Sequence, residues 1–202
     1  MQIPNMLTVS RFVLTAAILA LLALDFPFFK SLALFLFIIG GITDFLDGYL
    51  ARNHYGTSSF GKLMDPLADK VMVCACFVSF VEIRHIYETG PLVPGWIVVL
   101  IISREFMVTG LRLLAAGKGK TISAGKWGKH KTVWQIVAIV VILLGLAIRE
   151  DILSPQDERT LENFEFAFKW TALALSSVVA VITVASGVKY FTDHSDLVSR
   201  NL

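Results

Sequence analysis

Residues 44–69 read DFLDGYLARNHYGTSSFGKLMDPLAD. Four aspartates stand in this stretch, Asp44, Asp47, Asp65 and Asp69, each beside an apolar run. Carboxylates close to hydrocarbon cost about 2.5–3.5 kcal/mol each on insertion scales. Asp44 and Asp47 are three residues apart and share a face of a helix; Asp65 and Asp69, four apart, do the same. A short connection from Asn53 to Gly61 turns the chain back, so the two faces are expected to meet at the ends of adjacent antiparallel helices. Four converging carboxylates repel one another unless cations neutralise them. Oxygen-only donors suit Mg²⁺ or Mn²⁺ rather than zinc. A pair of such ions clamps phosphoryl oxygens.

The residues between the aspartates fit the same chemistry. Gly48 inside a helical stretch costs about 1 kcal/mol relative to Ala, and its missing side chain leaves room for a ligand. Ala51, one turn from Asp47, widens that gap. Arg52 is within reach of a phosphate held there. Pro66 suits a first helical turn, with Asp65 as its N-cap. A lone D-x2-D at a helix end would only cap the helix or face water. The full arrangement, D-x2-D-G-x2-A-R-x8-G-x3-D-x3-D, fixes eight residues, which capping does not require.

The chain around this stretch reads as a membrane domain. It is 55% hydrophobic and only 17% charged over 202 residues, with a mean hydropathy of +0.70; a soluble domain carries about 25% charged residues. Apolar segments fall at about 7–29, 31–51, 65–86, 93–115, 131–148 and 165–190. Each is long enough to cross about 30 Å of hydrocarbon as a helix, and none alternates with the period of a barrel strand. The expected fold is therefore all-α, with six transmembrane helices. No Pro/Gly/Ser-rich linker divides residues 1–202, so a single domain is expected. The first apolar run lacks a basic leader and a small-residue cleavage site, and reads as a retained span. Cys74 and Cys76 point to different sides of a helix and read as small buried hydrophobes.

Lysine and arginine set the orientation. Of the 18 such residues, twelve fall with one set of loops: Arg11, Arg52, Lys62, Lys70, Arg112, Lys118, Lys120, Lys126, Lys129, Lys131, Lys189 and Arg200. The other set holds Lys30, Arg84, Arg149, Arg159 and Lys169, beside an acidic loop over 149–165. By the positive-inside rule the first set is cytoplasmic, together with both termini and the aspartates. Arg104 belongs to neither set, because it lies within the fourth span.

The eight residues Asp44, Asp47, Gly48, Ala51, Arg52, Gly61, Asp65 and Asp69 resemble the signature of the CDP-alcohol phosphatidyltransferase family at every position. The resemblance implies a six-helix membrane enzyme, a homodimer, that passes a phosphatidyl group from a CDP-linked lipid to an alcohol and releases CMP. It assigns Asp44, Asp47, Asp65 and Asp69 to two divalent ions, with Asp69 also the general base. Gly48, Ala51, Arg52 and Gly61 would face the CDP moiety. No Ser or Cys beside a base argues for a covalent enzyme intermediate. No nucleic-acid partner is expected.

A second cluster bears on the acceptor. Arg104, Glu105 and Arg112 lie in the apolar segment IISREFMVTGLRLLAAGKGK, and a basic loop over 116–131 supplies Lys126, Lys129, His130 and Lys131. A charge inside a span is a functional candidate by default, and Arg forks and Lys ammonium groups suit a phosphate monoester. Arg104 could instead pair structurally with Glu105 or a neighbouring helix, Arg112 could anchor at the interface, and the loop lysines could face anionic lipid. The segments IPNMLTVSRF, SREFMVTGLR and GKHKTVWQ are similar to the phosphatidylglycerophosphate-forming branch of the family. That similarity places Asn5 and Thr8 near the nucleotide. It makes Arg104, Arg112, Lys126, Lys129 and Lys131 the acceptor-phosphate set, with CDP-diacylglycerol and glycerol 3-phosphate as substrates. Inositol phosphate, serine or phosphatidylglycerol are other acceptors within the family. A divalent-cation transporter is a rival from another class; it would place the acids near the midplane, often on repeated elements. His54, His85, His130 and His194 read as surface or hydrogen-bonding groups.

Overall fold

The computed structural model describes the backbone of residues 3–54, 59–83, 90–117, 126–153 and 158–193. Within these segments the side chains of 3–8, 44–54, 59–69, 126–127 and 129 lie outside the described residues. The described residues form six α-helices: α1 (Ile3–Ala23), α2 (Phe29–His54), α3 (Ser59–Glu82), α4 (Gly95–Gly117), α5 (Lys126–Ala147) and α6 (Glu158–Asp193). A π-helical segment, Ile148–Leu153, continues α5. Each α-helix corresponds in order to one of the six apolar segments. One of them, α6, is long and apolar enough to cross a membrane, and Val9–Ala23 and Phe29–Thr43 are shorter apolar stretches of α1 and α2.

The helix ends depart from the hydropathy reading wherever a polar turn is helical or a proline intervenes. α1 stops at Ala23 rather than near 29, because Pro27 disfavours helical geometry at Phe26. α3 begins at Ser59, so Asp65 and Pro66 lie inside the helix, and Asp65 is not its N-cap. A proline there removes one backbone hydrogen bond. Lys126, Lys129, His130 and Lys131, expected in a loop, occupy the first turns of α5. Lysine is a good helix former, and hydropathy detects only the apolar turns that follow. Glu158, Glu162 and Glu165, expected in a loop, lie in the first turns of α6, and Glu158 stands in the first turn, where the positive end of the helix dipole favours an acid.

α1 packs on α2 and α3, α2 on α5, and both α4 and α5 on α6. The core centres on Phe77, Phe80, Ile97, Ile101, Ile139, Ile142 and Leu143, all buried. The buried face of α6 is built mostly from small residues, including Ala172, Ser176, Ala180, Ser186 and Gly187; small side chains let helix backbones approach closely. Gly145 serves the same close approach on α5. A Cβ there would clash with the ring of Phe168. Cys76 is buried and both cysteines are free thiols.

One end of the bundle is latched by Lys30. It is fully buried and donates to the α1 carbonyl of Leu22 at 2.9 Å and to that of Leu24 at 3.1 Å. Helix-terminal carbonyls lack intrahelical partners and favour a cation. Asp25 and Glu150 flank the same ammonium at 3.3 and 3.7 Å. Asp151 accepts the N–H of Phe28 at 2.8 Å and the hydroxyl of Ser31. That acceptor meets the chain where Phe28 adopts a left-handed φ of 65°, a conformation disfavoured for a bulky residue. The α1–α2 turn is thereby tied to the π-helical segment, and Arg149 ties that segment to Glu165 of α6 at 2.7 Å.

Candidate active site

The backbone places Asp44, Asp47, Gly48, Ala51 and Arg52 in the last turns of α2. It places Gly61, Asp65 and Asp69 in the first half of α3. Asn5 and Thr8 lie in the first turns of α1. The side chains of all ten lie outside the described residues, as do those of Lys126 and Lys129. Among the described residues no group of three or more His, Cys, Asp or Glu could hold a metal ion.

The described part of the site begins one residue after Asp69. Lys70 Nζ donates to Glu105 Oε2 at 2.6 Å, joining α3 to α4. Glu105 is buried, only 3% exposed. Its Oε1 accepts from Lys131 Nζ and, at 3.3 Å, from Gln135 Nε2, both on α5. Arg104 Nη1 lies 3.6 Å from the same oxygen. One carboxylate therefore ties three helices together at the level of the α3 aspartates. Glu105 is surrounded by Lys70, Lys131 and Arg104, so this set carries two positive charges in excess. Burial raises the strength of each pair and the penalty of any charge left over.

Arg104 and Arg112 both turn toward α6, in agreement with their two-turn spacing. Arg104 lies over Gly187, where a Cβ would be 2.9 Å from Arg104 Cγ. The Nε of Arg104 is buried without a hydrogen-bond partner, and so is the hydroxyl of Thr183, one turn before Gly187. Arg112 Nε donates to Tyr190 Oη at 3.3 Å, and its guanidinium carbon is 5.9 Å from the ring centroid. His130 is exposed.

The CDP-alcohol phosphatidyltransferase family model matches residues 1–185. This chain belongs to that family. Relatives named CDP-diacylglycerol–glycerol-3-phosphate 3-phosphatidyltransferase include one from Bacillus subtilis, 35% identical, spanning 95% of this chain and 94% of that protein. Another, from Cereibacter sphaeroides, is 34% identical and spans 94% of each chain. A third, from Haemophilus influenzae, is 37% identical over 68% of this chain and 73% of its own length.

Within this CDP-alcohol phosphatidyltransferase the Glu105 cluster goes beyond the sequence reading. Glu105 was visible there only as a neighbour of Arg104, and Lys70 only as a positive loop charge. A carboxylate inside an apolar segment is the signal that could have found Glu105, as the same argument found Arg104. No periodicity identifies Lys70, Lys131 and Gln135 as its partners, because they come from two other helices. Lys131, expected to face the acceptor directly, has its ammonium on Glu105.

Proposed function

We propose that this protein transfers the phosphatidyl group of CDP-diacylglycerol to sn-glycerol 3-phosphate, forming phosphatidylglycerol phosphate and CMP. The observation that carries the acceptor choice is the cationic set on α3, α4 and α5, with its excess positive charge next to the α3 aspartates in sequence. A phosphate monoester brings a matching negative charge and accepts from Arg and Lys. The names of relatives aligned over nearly the whole chain support the same acceptor.

The donor set of α2 and α3 fits hard divalent cations, since Asp44, Asp47, Asp65 and Asp69 offer only carboxylate oxygen. Two Mg²⁺ or Mn²⁺ ions, when bound there, would neutralise the pyrophosphate and the charge developing on the departing CMP. Asp69 would take the proton of the acceptor hydroxyl, whose oxygen attacks the phosphorus bearing the diacylglycerol. As that P–O bond forms, the bond to the CMP oxygen breaks, and its electron pair leaves with CMP. Gly48, Ala51 and Gly61 would leave space for the nucleotide, Arg52 would contact its phosphates, and Asn5 and Thr8 would border it. Arg104, Arg112, Lys126 and Lys129 would hold the acceptor phosphate, with Lys131 adding its charge from its place on Glu105.

We place this single domain in the cytoplasmic membrane, with all six helices crossing and both termini and the site on the cytoplasmic side. Exposed apolar side chains along the helices, such as Phe35, Val99, Leu114, Phe166 and Val181, support a lipid surround. A homodimer is part of the same reading.

An acceptor panel tests the reaction. Purified protein, CDP-diacylglycerol and Mg²⁺ are offered glycerol 3-phosphate, inositol phosphate, serine and phosphatidylglycerol in turn. CMP release with glycerol 3-phosphate far above the others is expected. Preference for another alcohol overturns the acceptor, and no CMP release with any alcohol overturns the transferase reading.

A further inference from the structure

The Glu105 cluster is a poor way to stabilise a helix bundle. A buried ion pair adds little over apolar residues of the same volume, and a second and third cation on one carboxylate add mutual repulsion. Yet both oxygens of Glu105 are occupied, Oε2 by Lys70 and Oε1 by Lys131 and Gln135. Its backbone is braced too, because Thr109 Oγ1 donates to the Glu105 carbonyl at 2.7 Å. The geometry gives each lysine one fixed place. Lys70 follows Asp69 directly, so its anchor sets the rotation of α3 at the proposed base. Lys131 lies in the opening turns of α5, the stretch that also carries Lys126 and Lys129.

We propose that Glu105 is a positioning residue of the acceptor site. Its carboxylate holds Lys131 and Lys70 in place, so that the cations of α3, α4 and α5 are assembled before the acceptor arrives. This rests on the acceptor reading above and adds a residue that itself need not touch substrate. The excess positive charge is the functional part: Glu105 cancels enough repulsion to keep the cations together and leaves enough charge to attract a dianion. The buried, unpaired Nε of Arg104 belongs to the same set. Preassembly of this kind removes reorganisation from the binding step.

Steady-state kinetics of Glu105→Gln, Lys131→Met and the double variant, in purified protein with Mg²⁺, test the proposal. Loss of a charged hydrogen bond corresponds to about tenfold or more in affinity. Glu105→Gln is expected to raise KM for glycerol 3-phosphate by about tenfold or more and to change KM for CDP-diacylglycerol less than about twofold. Lys131→Met is expected to show the same split. If Glu105 acts through Lys131, the double variant is no worse than the more damaging single one. Equal rises in both KM values, an unchanged acceptor KM, or multiplying effects in the double variant overturn the proposal. Glu105→Asp keeps the charge but shortens the reach, and covers the case in which Glu105→Gln does not fold. It is expected to give a smaller rise in acceptor KM at an unaltered melting temperature, and a wild-type acceptor KM overturns the proposal. Wild-type preference for a different alcohol refutes the acceptor assignment alone; the same KM split, read with that alcohol, then decides the role of Glu105.

Discussion

Arg104 on α4 lies against the one position of α6 that has no side chain, Gly187: a Cβ there would come within 2.9 Å of Arg104 Cγ. The guanidinium is thus placed by an absence on the neighbouring helix. Gly187→Val is expected to displace Arg104 and raise the acceptor KM several-fold, while Gly187→Ala has a smaller effect because the arginine stem can shift. Kinetics with each substrate varied separately check this; wild-type acceptor KM in Gly187→Val would show that Arg104 does not serve the acceptor.

Arg112 is held by the hydroxyl and ring of Tyr190. Arg112→Ala is expected to raise the apparent KM for glycerol 3-phosphate more than that for CDP-diacylglycerol. Tyr190→Phe removes only the hydroxyl acceptor and keeps the ring, so its effect is expected to be smaller. Equal changes in both KM values for Arg112→Ala would argue for interfacial anchoring instead.

Asp69 combines two proposed roles, and substitution separates them. Asp69→Asn is expected to lower turnover by about 10²-fold or more, the range for loss of a general base, while part of the Mn²⁺ binding measured by calorimetry survives. Full activity in the purified variant would remove Asp69 from the base role.

Chelation is expected to abolish CMP release, and either Mg²⁺ or Mn²⁺ to restore it, since carboxylate oxygens suit hard cations. Undiminished activity in excess EDTA would contradict the metal assignment of all four aspartates.

Lys30 is remote from this chemistry, and its replacement should affect stability alone. Lys30→Met leaves the Leu22 and Leu24 carbonyls without their charged donor. A loss of about 2–3 kcal/mol is expected, seen as a lower denaturation midpoint in detergent with unchanged turnover per folded molecule. Loss of turnover at an unchanged midpoint would link this end of the bundle to catalysis.

Much of the architecture could be read directly from residue order. Six apolar runs announced six helices, because a backbone surrounded by apolar side chains must satisfy its own hydrogen bonds. The signature from Asp44 to Asp69 announced the family, because eight residues at fixed spacings are far more than helix capping or a solvated helix end requires. The period of the helix put Arg104 and Arg112 on one face. Helix ends were harder to read: α3 starts at Ser59 and α5 at Lys126, in polar turns that hydropathy assigns to loops. Which neighbour each face meets depends on how the helices rotate and cross, and that follows from packing among segments far apart in the chain. Packing therefore settled the pairing of Glu105 with Lys70 and Lys131, the seat of Arg104 on Gly187, and the tie between Phe28 and Asp151.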